Sequence, residues 1–495
     1  MVMKRAKMNL GHTKLLTCDM GSLIPIGCTE VLPGDSFQHN TAALIRFSPL
    51  LAPPMHPVHC SISHWYVPNR LLMDDWEDFI TGGPDGNDDT VLPYISAPGG
   101  VAVGSLADYL GVPAGASPLP NFSALPFRAY AKIFNENFRD QDLVAPVGLS
   151  MGNGADAVTN QNLLTGAWEK DYLTTARPWE QKGPAITVPI GDKAPVIPLS
   201  PTSSKPTFKA DGGAQAGSQL QRLIADGNNV NWSSNSTVDS SMNWDDPKLQ
   251  ADLTGSSTIT INLLKEAFAL QRFEEARARF GSRYTEYLRY LGVRSSDARL
   301  QRPEYLGGGR YPVQFSEVLQ TAEGDDPVGT LRGHGIGVAR SNRYRRFFEE
   351  HGFVMTLMCV RPKTMYIQGM PRMWNRKTKE DYWQKELQHI GQQEVLNKEV
   401  YAFGASPDDT FGFQDRYDEY RRHESWVSGQ FRTTDKFWHF ARAFSGAPAL
   451  NASFINCVPP EDPFAVPANN HLQVMVRHKL AARRLVSAKG DSFIF

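Results

Sequence analysis

The sequence predicts a mainly β protein, with short strands joined by long excursions instead of a helical or doubly wound chain. Two observations carry that prediction. Of 495 residues, 41 are Gly and 34 are Pro, and Asn, Asp and Ser fill many of the intervals, which is punctuation too frequent for long regular elements. Yet 41% hydrophobic and 11% aromatic residues suffice for a real core, so global disorder is excluded. The length admits two or three ordinary domains, or one core carrying very long loops.

The elements follow in order. Residues 1–20 carry Lys4, Arg5, Lys7 and Lys14 against Asp19, and read either as a basic arm that touches nucleic acid or as a frayed terminus. LPGDSF at 32–37 is a turn, followed by an apolar run to Phe47. Pro49, Pro53, Pro54 and Pro57 forbid one continuous strand through 49–59, whereas CSISHWYV at 60–67 alternates as a half-buried strand does. LLMDDWEDFI then reads as a short amphipathic helix, and 81–124 as mostly loop. In 125–138, Phe127, Tyr130, Phe134 and Phe138 recur at three- and four-residue steps, which puts four aromatics on one helical face, and Pro126 suits a first turn. That face belongs in a core or at a subunit boundary.

Residues 190–257 are polar and Gly/Ser/Asn-rich, too long for an ordinary loop inside a compact domain. Helical periodicity resumes at Asn262, with Leu263, Ala267, Leu270 and Phe273 or Glu274 on one side, and Gly281 is a plausible stop. An irregular arginine-rich segment follows, closing on Gly307, Gly308 and Gly309, where close backbone approach is expected. In the last third, 353–360 and 472–478 read as strands, 382–400 as locally helical, and 411–422 as a polar–aromatic pattern. The tail, with Lys479, Arg483, Arg484 and Lys489, suits clipping a neighbour or lining a basic surface.

The usual signatures of chemistry are missing or misplaced. HGIG at 334–337 lacks the third glycine of a dinucleotide loop, and GGG at 307–309 lacks the following Lys-Ser/Thr of a phosphate loop. GLSMG at 148–152 places Ser150 in the right pentapeptide, but Pro146 weakens a preceding strand and no helix starts after it. His12, Cys18, Cys28 and His39 are too widely spaced for structural zinc, and Asp85, Asn87, Asp88 and Asp89 do not follow a calcium-loop pattern. Asp74–Asp75 and Glu274–Glu275 are adjacent, so their side chains diverge. No catalytic, cofactor-binding or metal-ligating residue is assigned, and no cofactor is expected. Five scattered cysteines point to a reducing compartment, and no signal peptide or membrane span is apparent. A net charge of −1 gives no whole-chain attraction to nucleic acid, leaving local patches.

What remains is arginine and tyrosine along 283–305. Arg283, Arg289, Arg294, Arg299 and Arg302 supply rigid forks for carboxylates and phosphates. Tyr284, Tyr287 and Tyr305 supply large contact surfaces of low entropy. Three uses stay open on chemistry alone: a subunit interface, contact with single-stranded nucleic acid, or bracing within the chain.

The same stretch resembles the major capsid protein of microviruses, the small tailless single-stranded DNA phages, and most closely their gokushovirus-like branch. The words that carry the resemblance include INLLKEAFALQR at 261–272, RYTEYLR at 283–289 and LGVRSSDARLQRPEYLGGG at 291–309. YVPNRLLMDDWEDF at 66–79, LPFRAYAKIFNENFRDQDL at 125–143, RPWEQKGPA at 177–185, HGFVMTLMCVRP at 351–362, VLNKEVYAFG at 395–404 and FGFQDRYDEYR at 411–421 extend it. It covers most of the chain outside 190–257 and the tail.

The resemblance implies an eight-stranded antiparallel viral jelly roll, a β-sandwich with long inserted loops and a few short helices. Residues 1–20 would be a basic arm, 21–189 the first part of the core, 190–257 a surface insertion at the threefold axes, and 258–495 the helix, arginine-rich loop and second part of the core. It implies a structural protein and not an enzyme: sixty copies in a T=1 shell around circular single-stranded DNA, within the virion, after assembly in the host cytoplasm. Lys4, Arg5, Lys7 and Lys14 would be the DNA contacts. A small DNA-associated virion protein, a DNA pilot protein and a host surface receptor are the further partners, with no membrane. The rival readings are a glycan-binding or glycan-cleaving β-sandwich and a soluble nucleic-acid-binding module.

Overall fold

In the computed structural model, the described residues are 5–184, 186, 261–281, 283–321, 327 and 329–487, with strand segments between 196 and 251. The chain divides into two units, Met1–Lys182 with Glu275–Phe495, and Gly183–Glu274. The first unit holds an antiparallel sheet of ten strands. These are β1 (Ala6–Asn9), β2 (His12–Cys18), β3 (Ile24–Val31), β4 (Ser36–Phe47), β5 (Val58–Pro68), β6 (Glu304–Leu319), β7 (Leu331–Arg340), β8 (Tyr344–Phe347), β9 (Gly352–Pro362) and β10 (Leu472–Arg484).

Two quartets are visible in the strand order. One runs β2-β10-β4-β7, with β1 beside β10 and β8 beside β4, and the other runs β6-β5-β9-β3. Strand β6 joins them: residues from Glu304 to Val313 pair with β5, and those from Gln314 to Leu319 pair with β7. The sheet therefore curls, and side chains from both quartets meet in one core that includes Ile24, Ile45, Ile62, Met358 and Val474. Strand β10 alternates mostly buried and exposed residues, and β4 alternates buried and half-buried ones, because their second face is less covered. Strand β9 is buried almost throughout, which explains its unbroken run FVMTLMCV.

The second face of β9 is covered by α1 (Leu125–Ile133), which continues as a π turn over Phe134–Phe138. Phe127, Tyr130 and Phe134 are buried there with Trp65, Met355 and Leu357, and Phe138 is partly buried against the same cluster. The Tyr130 hydroxyl donates to the Leu23 carbonyl (2.8 Å) and accepts from the Leu164 N–H (3.0 Å), so its burial leaves no polar atom unpaired. Arg128 on the same helix is fully buried. It pairs with Asp156 at 2.7 Å and donates to the Leu72 and Gly152 carbonyls, which ties down the loop containing Ser150. Ser150 lies in irregular backbone with neither a strand before it nor a helix after it.

A polar seam crosses the otherwise apolar interior. His39 on β4, His64 on β5 and His478 on β10 are each at most 3% exposed. The His39 Nε2 lies 3.1 Å from His478 Nδ1, and its Nδ1 lies 3.1 Å from the Tyr344 hydroxyl. His64 bridges the Thr356 and Ser341 hydroxyls at 2.9 and 2.8 Å. His478 Nε2 reaches the Ile26 carbonyl at 3.1 Å. Gly27 is required beside it, since a Cβ there would come within 2.7 Å of the His478 ring.

Several expectations change. Residues 6–9 and 12–18 are strands paired with β10, not an arm, because β10 offers them a free edge. The segment after Gly281 is not wholly irregular: α3 spans Tyr284–Tyr290, its start fixed by the Glu286 carboxylate accepting from the Arg283 N–H (3.1 Å). The 382–400 stretch is helical only at Asn397–Val400. Gly391, at φ 105°, breaks the run, and Gln392–Leu396 instead pairs as a strand with Thr410–Asp415. The 71–80 helix begins late, at Trp76.

Helix α2 spans Ile261–Phe280 and ends at Gly281, whose φ of 92° takes the left-handed stop. The boundary between the two units falls within it. In the second unit three antiparallel pairs nest around 227–228: Val196–Pro198 with Leu249–Ala251, Thr207–Ala210 with Met242–Asp246, and Arg222–Asp226 with Asn229–Ser233.

Candidate assembly surface

The arginine–tyrosine segment sorts into two groups. Arg283 turns inward, and its guanidinium donates to the Asn135 and Arg139 carbonyls, both at 2.9 Å. These carbonyls end the turn that follows α1, where a cation is favoured. Nearby Gly281 holds a φ of 92°, where a side chain would strain the backbone. Arg302 is also committed, donating to Asp297 at 2.6 Å, and Asp297 accepts from the Tyr305 N–H as well (3.4 Å). Together these bonds shape the chain from 297 to 305.

The second group faces outward. Tyr284 and Tyr305 are more than half exposed, and Tyr287, Arg289, Arg294 and Arg299 are exposed as well. Tyr305 leans on Trp65 with ring centroids 5.0 Å apart, so its position is set while half of it stays open. On α3 the i,i+3 spacing brings Tyr287 near Tyr290, at 6.4 Å. Leu291 and Val293 continue the exposed surface. A run of exposed aromatics and arginines held on fixed backbone has the composition of a protein–protein contact.

Of the residues expected at DNA, Lys4 lies outside the described residues. Arg5 donates to the Gly34 carbonyl and the Ser36 hydroxyl, both at 3.0 Å, and sits over the Phe347 ring. Lys14 turns inward to the Pro25 carbonyl at 3.2 Å and to that of Tyr109, and burial lowers its pKa. Arg5 and Lys7 are both exposed, and Lys7 stands opposite Arg483 across the β1–β10 pair.

Two features were not evident from the sequence. Periodicity gave α2 an apolar side, but Ile261, Leu263, Phe268 and Leu270 are each about half exposed or more. The pattern signalled a face to bury without saying by what. Arg340, Arg343, Arg477 and Lys479 also gather on one sheet face, and only the out-facing alternation of β10 hinted at it. Among the described residues no group of three or more His, Cys, Asp or Glu side chains is placed to hold a metal ion. No helix among them is long and apolar enough to cross a membrane. The five cysteines are free and buried or half-buried, and burial pushes the Cys28 thiol up to about 12.

Comparison with known proteins gives this surface its setting. The profile of the family described as capsid protein (F protein) matches residues 1–494. The chain is 36% identical over 472 residues to the capsid protein VP1 of Bdellovibrio phage phiMH2K, covering 91% of this chain and 87% of that one. It is 33% identical to the capsid protein VP1 of Chlamydia phage 1, over 93% and 90%. It is 31% identical to that of Spiroplasma virus 4, over 91% and 87%. These relatives are structural proteins of capsids and not enzymes, and a chain that matches them from end to end belongs to the microvirus capsid protein (F protein) family.

Proposed function

We propose that this chain, a structural major capsid protein of a microvirus virion, forms a T=1 shell of sixty copies around a circular single-stranded DNA genome. Its multimeric assembly follows from the family. The observation that carries the fuller reading is the exposed, fixed arginine–tyrosine surface of 284–305 on a chain matched end to end by capsid proteins. Repeated copies multiply individually modest contacts, so a surface too small for a stable dimer can close a shell.

We further read the eight long strands as a viral jelly roll. The quartets β2-β10-β4-β7 and β3-β9-β5-β6 support it: neighbours come from distant parts of the chain, as two interleaved Greek keys require. In this reading 1–20 supplies the edge strands of one quartet, 21–189 and 258–495 the rest of the core, and 190–257 an insertion at the threefold axes. Tyr284, Tyr287, Arg289, Arg294, Arg299 and Tyr305 contact neighbouring copies, while Arg283 and Arg302 hold the segment in shape. A small DNA-associated protein, a DNA pilot protein and a host receptor are the partners this reading adds.

Negative-stain microscopy and nuclease digestion of purified particles test it together. Uniform closed shells with nuclease-protected single-stranded DNA are expected. Stable monomers, or shells that protect no DNA, would overturn it.

A further inference from the structure

A group of basic residues with no carboxylate beside them also lies away from the N-terminus, on the sheet. A cleft of about 840 Å³ opens on the outward face of the β2-β10-β4-β7 quartet, within the first unit. Arg340 and Arg343 line one side, Arg477 and Lys479 the other, with Gln38 and Asn40 of β4 between. All four cations are exposed, and no Asp or Glu contributes to the lining. Arg128, Arg302, Arg372 and Arg484 each pair with a carboxylate, whereas among the described residues none of the four cations of the cleft is in an ion pair.

The register fixes their spacing. Arg477 and Arg340 both pair with Ala42, one from each side, so the two arginines stand two strands apart, about 10 Å between backbones, across a small residue. Lys479 follows Arg477 at the next outward position, about 7 Å along β10. Beyond it, Lys7 and Arg483 face each other across β1 and β10, a like-charge pair that disfavours the sheet unless an anion lies over it. The positive positions thus form a track several residues long instead of converging on one point. A single small anion needs convergence, while an extended polyanion fits a track. The amides of Gln38 and Asn40 add neutral donors along its floor, and Arg343 is already bonded to Gln38, which fixes that rim.

We propose that this cleft binds the phosphodiester backbone of single-stranded DNA, with Arg340, Arg343, Arg477 and Lys479 as the phosphate contacts. This rests on the reading of the chain as a shell around such a genome, and moves the DNA contact from the N-terminal lysines to the sheet face. Recognition is through backbone charge and independent of sequence.

Fluorescence anisotropy of full-length subunits with labelled (dT)12 tests it. The double variant Arg477→Gln/Lys479→Gln should bind about tenfold more weakly or worse, and should flatten the slope of log affinity against log salt by about 1.4, close to 0.7 for each phosphate left without its cation. Lys379→Gln, an exposed lysine outside the cleft, should bind as wild type. If the double variant does not fold, Arg340→Gln with Arg343→Gln makes the same test from the other rim. Arg477→Lys/Lys479→Arg should retain binding. Unchanged (dT)12 affinity in a folded variant overturns the proposal, as does competition by inorganic phosphate at concentrations that match (dT)12 in phosphate groups. Wild-type particles containing no DNA would overturn the underlying function instead. Particles that hold DNA while both rim variants bind (dT)12 normally would overturn this inference alone.

Discussion

Acidification should loosen the subunit through the histidine seam, and the size of the effect follows from its geometry. Burial, reinforced by the His64, His478 and His12 rings, holds His39 down to about 2. Burial with His478 holds His64 down to about 3. Burial outweighs the bond to the Ile26 carbonyl and holds His478 down to about 4. All three folded values lie below the 6.5 of a free imidazole, so the unfolded chain binds the protons first. Their contribution is complete above pH 6.5 and is lost as pH falls from there towards about 4, 3 and 2. At pH 5 the loss is about 2 kcal/mol for each histidine, about 6 kcal/mol together, which rivals the whole stability of an ordinary domain. The clean test is His39→Gln, which removes one titration and keeps a polar side chain. Urea unfolding of full-length subunits at pH 7.5 and 5.0, followed by tryptophan fluorescence, should show the variant losing about 2 kcal/mol less than wild type on acidification. Buried carboxyls such as Asp171 and Glu399, whose pKa values burial raises, act with the opposite sign, but they are common to both proteins and cancel. An equal loss in variant and wild type would refute the assignment.

Other substitutions separate folding from assembly. Phe134→Ala empties a buried site under β9 and should destabilise the subunit by about 3–5 kcal/mol in the same unfolding assay. Gly308→Ala puts a Cβ 2.3 Å from the Ile62 carbonyl, within the β5–β6 pair, and should lower the yield of folded subunit, with a cost of about 1–3 kcal/mol. Arg283→Ala removes two charge-assisted bonds to carbonyls and should cost about 1.5–3 kcal/mol of subunit stability. Arg294→Ala should leave stability within about 0.5 kcal/mol and reduce the yield of closed particles instead.

Local patterns were legible where one segment decides its own fate. The aromatic spacing of 125–138 announced the helix, the left-handed Gly281 its neighbour's end, and the three glycines at 307–309 a close crossing, which Gly308 and Gly309 make against Ile62 and Arg340. Partnership at long range was not legible. Residues 6–18 look like a basic tail because nothing nearby in sequence shows that β10, more than 450 positions on, needs an edge partner. Lys14 points inward only because the Pro25 and Tyr109 carbonyls await it. The same holds at the assembly surface. Arg283 and Arg294 are alike in the sequence, and the difference between brace and open contact is whether carbonyls some 145 positions earlier lie within reach. The basic cleft was hidden for the same reason, since its two rims come from different strands that only the register brings to either side of Ala42.

Electron cryomicroscopy of purified particles would show which surfaces join the copies, and so whether the arginine–tyrosine segment is what builds the shell. The expected result is a closed shell of sixty subunits in which Tyr284, Tyr287, Arg289, Arg294, Arg299 and Tyr305 are buried against neighbouring chains. A closed shell that leaves those six side chains in solvent, or subunits that remain monomeric, would contradict it.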